Sequence, residues 1–223
     1  LYNRNSTSFT GYDFGNRKIP FNPYVNEIIP DPVLNDVTQE DLSRSFDPQM
    51  AAKSKTALPN GSFSFSQGNQ INKESGGTFG YNAVFNYSNE TLFYKDFQSN
   101  DYLKDNDKSV EPLFQQIKRQ GDVGKNNVLW SGLLSGAYKN NNNSYSITIL
   151  NSQSAETSAS VRRNQDFNQN QATLIENILT YSQRTLSSAI VSGQHRIGLV
   201  ELNWSNAFSY SNVYDPDFRE TRI

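Results

Sequence analysis

From residue 61 onward, hydrophobic and polar residues alternate one by one along the chain. Ser62–Ser66 alternates serine with phenylalanine, and residues 78–88 again place a hydrophobic residue at every second position. Successive side chains of a β-strand point to opposite faces, so a period of two predicts strands rather than helices. One face of the second predicted strand carries Phe79, Tyr81, Ala83, Phe85 and Tyr87.

Four further segments repeat this alternation, so the chain is predicted to contain about six strands. The longest of the four changes phase near Arg184, where an extra residue in the ladder, a β-bulge, is expected. The four segments are Val128–Tyr138, Ser144–Ser152, Thr173–Ser192 and Val200–Ser211.

The connections between the predicted strands alternate in length. Short ones at Gln67–Gly77, Lys139–Asn143 and Gly193–Gly198 alternate with long ones at Asn89–Asn127 and Gln153–Ala172. Outer-membrane β-barrels have short periplasmic turns and longer extracellular loops between antiparallel neighbours. The expected fold is therefore all-β, an antiparallel up-and-down transmembrane β-barrel segment, with residues 61–223 as its consecutive strands.

Residues 1–60 lack this periodicity and are rich in proline and turn-forming residues. We expect them to form an extracellular loop region that follows an early barrel strand. A short helix is predicted around Thr38–Arg44, where Glu40 and Arg44 have the i,i+4 spacing of a helical ion pair.

The predicted strand length suits a membrane. The eight steps from Trp130 to Tyr138 span roughly 27 Å at ~3.3 Å per residue. A tilt of ~40° leaves about 20 Å along the membrane normal, close to the ~25 Å apolar band of such barrels. Trp130 and Tyr138 would then lie at opposite aromatic girdles.

Composition removes several other classes. Only 35% of residues are hydrophobic, the mean hydropathy is -0.70, and no run of about 18 apolar residues exists to form a membrane-spanning helix. Aromatic residues make up 13% of the chain, which argues against disorder. A net charge of -2 gives no reason to expect a nucleic-acid partner, and the absence of cysteine excludes disulfides and thiolate metal sites.

A soluble β-sandwich is the main alternative, because its core face would also be aromatic. The fifth predicted strand favours the membrane, since at about twenty residues it exceeds the usual 3–10 of soluble strands. In the soluble alternative, exposed aromatic residues would bind carbohydrate.

Few residues suggest chemistry, and an enzyme is the least supported class. His195, the only histidine, is expected to be a solvated turn residue rather than a metal ligand or catalyst. Three acidic pairs have spacings that suit Ca²⁺, but without an EF-hand pattern we expect solvated loops and no metal, cofactor or catalytic site. The pairs are Asp105/Asp107, Asp215/Asp217 and Glu40/Asp41.

Charged and aromatic residues mark two regions whose role the sequence leaves open. Glu201 lies on the polar face of the last strand and is expected to face a lumen, because a charge at membrane depth needs a polar environment. The orientation of Arg184 is open. Loop aromatics either stack on a sugar or other ligand or pack a folded loop, and no ligand-binding residue is assigned. They are Phe93, Tyr94, Phe97 and Tyr102.

An ordered set of segments resembles the barrels of TonB-dependent outer-membrane receptors of Bacteroidota. The order of the later segments resembles the branch with a carboxypeptidase-regulatory-like N-terminal domain. Asp13–Pro20 resembles the stretch after the first barrel strand, and the likeness spans roughly residues 12–219. The remaining segments are Ser62–Gln70, Gly80–Glu90, Trp130–Lys139, Ser152–Val161, Tyr181–Ile197, Glu201–Asn212 and Pro216–Arg219.

The resemblance implies a 22-stranded barrel closed by a plug, which imports a scarce ligand such as a siderophore, glycan or peptide with energy relayed by TonB. No plug or TonB box is recognisable in these 223 residues, so we expect a fragment of such a receptor, located in the outer membrane. TonB would act through the missing plug, and a surface lipoprotein or the barrel-assembly machinery are further possible partners. The alternative is a structural or assembly subunit, or an assembly intermediate, of a larger outer-membrane complex.

Overall fold

The alternating segments form six strands of one antiparallel sheet in a computed structural model. The strands follow one another in sequence order, so each pairs with its chain neighbour, and the sheet is not closed. Their bounds are β1 Gly61–Asn72, β2 Thr78–Leu103, β3 Phe114–Lys139, β4 Asn143–Asp166, β5 Thr173–Ile197 and β6 Val200–Arg222. The predicted all-β, up-and-down order is therefore confirmed.

The structure describes residues 8–15, 17, 36–57, 59–74, 76–104, 113–167 and 173–223. Besides the strands, this part contains a 3-10 turn at Ser8–Thr10 and helix α1 at Asp36–Ser45, where the sequence predicted a helix. Neither of these two elements has the length and apolarity needed to cross a membrane as a helix.

Five of the six strands are at least about twice as long as the alternation suggested, whereas β5 has 25 residues against the predicted length of about twenty. β2 and β3 extend through most of the loop predicted at Asn89–Asn127, and β4 extends to Asp166 through much of the loop predicted at Gln153–Ala172. β6 likewise continues past Asn212. These extensions were missed because they mix charged, small and apolar residues on both faces, whereas the backbone ladder that forms them is independent of that pattern.

The three short turns, which connect β1 to β2, β3 to β4 (residues 140–142) and β5 to β6 (residues 198–199), lie at the same end of the sheet, which we call the short-turn end. Positive φ angles of +85° at Gly76 and +63° at Gly198 place both residues in the left-handed region that glycine tolerates best. In the middle turn, the Asn140 side chain accepts hydrogen bonds from the backbone N–H groups of Asn142 and Asn143 at 3.0 and 2.7 Å. Local chemistry thus specifies each hairpin.

Three register shifts interrupt the ladders away from this end, one of them between Asp101 and Tyr102 of β2. Between Tyr94 and Phe97 the extra residue lies in β2, where Asp96 has a φ of +53°. Beside Tyr181 and Gln183 the register also shifts, but the extra residue lies in β6, at the Asp215–Pro216 step. The bulge predicted near Arg184 is therefore close by but on the neighbouring strand, and β5 keeps one phase against β4 throughout.

Candidate functional site

Strand register sorts the short-turn half of the sheet into two chemically different faces. On one face, Ile71, Phe79, Tyr138, Tyr145, Gly193 and Trp204 form a continuous row across all six strands. Four residues along each strand, the mainly apolar character is repeated in the row of Gln67, Ala83, Leu134, Ile149, Ala189 and Phe208. We call this face the aromatic face, because the predicted aromatic faces of the individual strands combine there.

The aromatic face is bare over the short-turn half, where its large side chains form an apolar belt. Leu134 is 59% exposed and Phe208 is 67% exposed, although side chains of this kind are normally buried in soluble proteins. Contiguous exposed apolar surface of this extent marks a protein or membrane contact. The belt also includes Phe63, Phe65, Ile71, Phe79, Phe85, Tyr145, Ile147, Ile149, Leu202 and Tyr210.

The opposite side of the same strands is a serine face. Its residues hydrogen-bond across strands, as between Ser64 and Asn86 at 2.7 Å and between Ser146 and Ser192 at 2.6 Å. Aliphatic residues such as Leu133 and Ile190 are a minority there. A sheet with one apolar and one hydroxyl-rich face suits a boundary between a nonpolar and an aqueous medium.

His195 belongs to the aromatic face, at the short-turn end of β5, and is not the turn residue that the sequence predicted. Its Nε2 accepts a hydrogen bond from Trp204 Nε1 at 2.9 Å, so its Nδ1 carries the proton and donates to Asn143 Oδ1 at 2.8 Å. The ring also stacks with Trp204 at 6.3 Å and meets the edge of Tyr145 at 5.1 Å between centroids. Both nitrogens are engaged in a neutral aromatic cluster, which leaves neither for a metal.

The two strand charges singled out in the sequence both lie on the serine face. Glu201 is opposite Arg196 in the ladder and accepts hydrogen bonds from the side chains of Gln194 and Asn203. Arg184 is opposite Ser154 and Val213 and is exposed. The side chains of Glu201 and Arg184 are not close to each other, so they do not form one site.

The acidic pairs do not assemble a cation site in the described residues. Asp217 binds the guanidinium of Arg219 at 2.7 to 3.0 Å, and the exposed side chains of Glu40 and Arg44 pair on helix α1. Asp105 and Asp107 lie outside the described residues. Among those that are described, no group of three or more His, Cys, Asp or Glu side chains is arranged to hold a metal ion.

The aromatics predicted to lie in a loop belong to the extension of β2. Phe93, Tyr94, Phe97 and Tyr102 are 46–66% exposed, and the bulge at Asp96 separates the first two from the last two. Phe93 lines a cavity on the aromatic face, beyond the belt. The four side chains do not converge on a single site.

Beyond the belt, two segments from the first sixty residues cover the aromatic face. Gly11 O accepts a hydrogen bond from Gln153 Nε2 at 2.6 Å, and Thr10 O accepts one from Trp130 Nε1 at 2.8 Å. Leu179 and Tyr181 lie beneath, 0% and 4% exposed. The only hydrophobic cluster of buried residues found in the described part of the chain therefore lies here, with Ala52 packed against it.

A buried ion pair anchors the first of these segments. Asp13 and Arg17 are 1% and 5% exposed, with 2.6 Å between carboxylate and guanidinium. The Arg17 guanidinium lies 4.1 Å above the ring of Tyr181, and burial raises the pKa of that phenol to about 12. Asp13 N–H also donates to Gln183 Oε1 at 2.9 Å. The segment therefore contacts β5 through the Arg17–Tyr181 cation–π pair and through this hydrogen bond.

The second segment is anchored by Arg219 of β6. Its guanidinium binds Asp217 and donates to the carbonyl oxygens of Asp47 and Gln49. Thr221 Oγ1 donates to Met50 O at 3.2 Å, and Ala52 N–H donates to Asn177 Oδ1 at 3.4 Å. Nothing in the sequence pattern indicated the contacts between this segment and the sheet, because each of them joins residues more than 120 positions apart.

On the serine face beyond the belt, Glu176 is the centre of a charged cluster with Arg162, Asn164 and Arg222. It is 1% exposed and accepts from Arg162 Nε at 2.8 Å and Asn164 Nδ2 at 2.6 Å, with Arg222 at 3.4 Å. Burial raises the pKa of this carboxyl, but the hydrogen bonds and the charges of Arg162 and Arg222 outweigh burial and hold the pKa below its ordinary value. The charged cluster joins β4, β5 and β6 through these side-chain contacts.

No protein-family model matches the chain, and no curated protein matches it significantly.

Proposed function

We propose that this chain is part of a TonB-dependent outer-membrane receptor, in which the sheet is one sector of a transmembrane barrel. The observation that carries the proposal is the apolar belt, an exposed aromatic surface beside the short turns with a serine face behind it. In an outer-membrane barrel, lipid-facing and lumen-facing residues alternate along every strand in this way.

The proposal orients the sheet. The belt faces lipid, the serine face lines the lumen, the short turns are periplasmic, and the strand extensions rise above the outer leaflet. Trp204, Tyr145 and Tyr138 fall in one row at the periplasmic boundary, where amphipathic rings are favoured. The unpaired edges of β1 and β6 would be costly in lipid, so in this proposal further strands pair with them.

The membrane part of the proposal is tested by site-directed spin labelling, for which a chain without cysteine is well suited. Single labels are placed at Ile149 and Phe208 in the belt and at their neighbours Thr148 and Ser209 on the serine face. In bilayers, belt labels should collide with oxygen and serine-face labels with a water-soluble nickel chelate. Equal accessibility at both members of each pair, or a protein that stays soluble without detergent, would overturn the assignment.

The import part rests on the resemblance of the sequence segments and is tested in cells. Deleting the gene and deleting tonB should each limit growth on the same scarce nutrient, and the double deletion should be no worse. An envelope-assembly defect without a nutrient defect would instead indicate the structural or assembly role.

A further inference from the structure

The first covering segment, residues 8–15 with Arg17, lies on the aromatic face at the upper edge of the belt. Its Thr10 carbonyl oxygen accepts a hydrogen bond from the indole of Trp130 at 2.8 Å. Trp130 lies eight residues beyond Tyr138 on β3, which is roughly 20 Å along the membrane normal at ~3.3 Å per residue and a tilt of ~40°. In the proposed orientation, the segment is therefore at the upper boundary of the apolar band.

The polar and apolar side chains of this segment are distributed in the opposite way to those of a loop in water. Asp13 and Arg17 are 1% and 5% exposed and pair with each other against the sheet, whereas Phe9 and Phe14 are 55% and 68% exposed. In water, charged side chains are normally solvated and large apolar side chains are normally buried. This reversal indicates that the outer side of the segment faces a nonpolar medium.

The backbone of the segment keeps the ring of Phe14 exposed. Phe14 has a φ of +50°, in the left-handed region, which is uncommon for a bulky residue. Such strained residues persist where the surrounding structure fixes them, and they cluster at functional sites. Here the Asp13 carboxylate accepts the backbone N–H of Arg17 at 3.0 Å, which closes the turn that contains Phe14 and directs its polar groups inward.

The rings of the segment are continuous with the belt. The ring of Tyr12 lies 5.7 Å from that of Phe14 and 6.4 Å from that of Trp130, between centroids. Trp130 in turn lies 6.4 Å from Phe85, which belongs to the belt. Tyrosine and tryptophan are enriched at membrane–water interfaces because their rings are apolar at one end and polar at the other. The medium that continues from the belt to this height is the outer leaflet of the membrane.

We propose that the first covering segment is a membrane anchor on the outside of the barrel wall, with the rings of Phe9 and Phe14 inserted into the outer leaflet where acyl chains meet headgroups. The inference rests on the proposed membrane orientation and adds a lipid contact that no barrel strand makes. The partner is the lipid surface itself, and the contact does not depend on a particular headgroup.

The test uses nitroxide spin labels on the full-length protein in phosphatidylcholine bilayers. Single cysteines replace Phe9 or Phe14, with Ile149 as the reference in the belt and Thr56 as the reference in water. Thr56 belongs to the second covering segment, which lies over Gly124, roughly 15 Å higher than Trp130 at the same rise and tilt. The labels on the first segment should lose most of the collisions with a nickel chelate that the Thr56 label shows, and should collide with oxygen more often.

The two variants Phe9→Cys and Phe14→Cys test the same contact independently, so a folding defect in one of them leaves the other to decide. Nickel accessibility at both positions equal to that at Thr56 would overturn the anchor. Few collisions with either reagent would also overturn it, because another protein surface would then cover the rings. In both cases, a lipid-exposed label at Ile149 leaves the proposed function intact. A nickel-accessible label at Ile149 would overturn the proposed function, and the anchor with it.

Discussion

Individual residues of the belt are constrained by their neighbours as well as by their medium. Gly193 lies directly opposite Trp204, and a Cβ atom at this glycine would be 2.4–2.5 Å from the indole ring. The ring is held by its hydrogen bond to His195 and cannot move aside without losing it. The glycine is therefore part of the aromatic cluster, although it contributes no side chain.

Gly193→Ala should displace Trp204, break its bond to His195 and lower the free energy of unfolding by about 1–3 kcal/mol, the usual cost of overpacking. A red shift of tryptophan emission and a shift in thermal unfolding would report the change. Gly132→Ala is the matched control, because Gly132 is on the same face and a Cβ atom added there would meet no other atom within 4 Å. Equal effects of the two variants would refute this explanation.

The charged cluster around Glu176 makes the free energy of unfolding depend on pH in the acid range. Because the folded-state pKa of Glu176 is lowered, its ionised form contributes stability that is present above the unfolded pKa, about 4.5. That stability is lost as pH falls through the lower folded pKa. Glu176→Gln should therefore destabilise the protein by about 1–3 kcal/mol at pH 7 and flatten the decline below pH 4.5.

Denaturant unfolding of the parent and the variant between pH 3 and pH 7 measures this difference. Glu74→Gln serves as the control, because Glu74 is exposed in the first short turn. A steep acid decline that persists unchanged in Glu176→Gln would assign the pH dependence to other carboxylates.

At the scale of elements, the extensions of the strands depend on the segments that cover them. The belt needs no protein cover in the proposed orientation, whereas the buried Leu179 and Tyr181 lie where residues 8–15, Arg17 and residues 46–57 cover the same face. Arg219 is a main anchor, since it joins β6 to two carbonyl groups of the second segment.

Arg219→Lys should release the second segment, because a single ammonium cannot reproduce the planar fork that binds Asp217 and two carbonyls. Hydrogen exchange at residues 49–53 should accelerate by about tenfold or more, while exchange in the hairpin of β5 and β6 stays unchanged. Arg196→Lys, on the same sheet near the short turns, is the matched control. Unchanged exchange at residues 49–53 would show that the other contacts suffice.

At the scale of the whole molecule, the two faces predict how the protein partitions. The full-length protein should fractionate with outer membranes, require detergent for extraction and migrate faster on gels unless boiled, since closed membrane barrels resist unfolding by detergent. Phe208→Arg, in the belt, should reduce folding into bilayers by about 2–4 kcal/mol if it lies near the midplane, whereas Ser209→Arg should have little effect. A compact, detergent-free monomer would indicate the soluble alternative.

The sequence alone determined the strand type, the strand order and the two faces of the short-turn half, because a period of two places each side chain without reference to any partner. It did not determine the strand extensions, the bulge in β6, the hydrogen bonds of His195 or the segments that cover the strand extensions. Those depend on ladder register and on contacts such as Arg219 with Gln49, between residues far apart in sequence. Tertiary structure alone decided them, because no local pattern records which distant group will satisfy a buried charge or carbonyl.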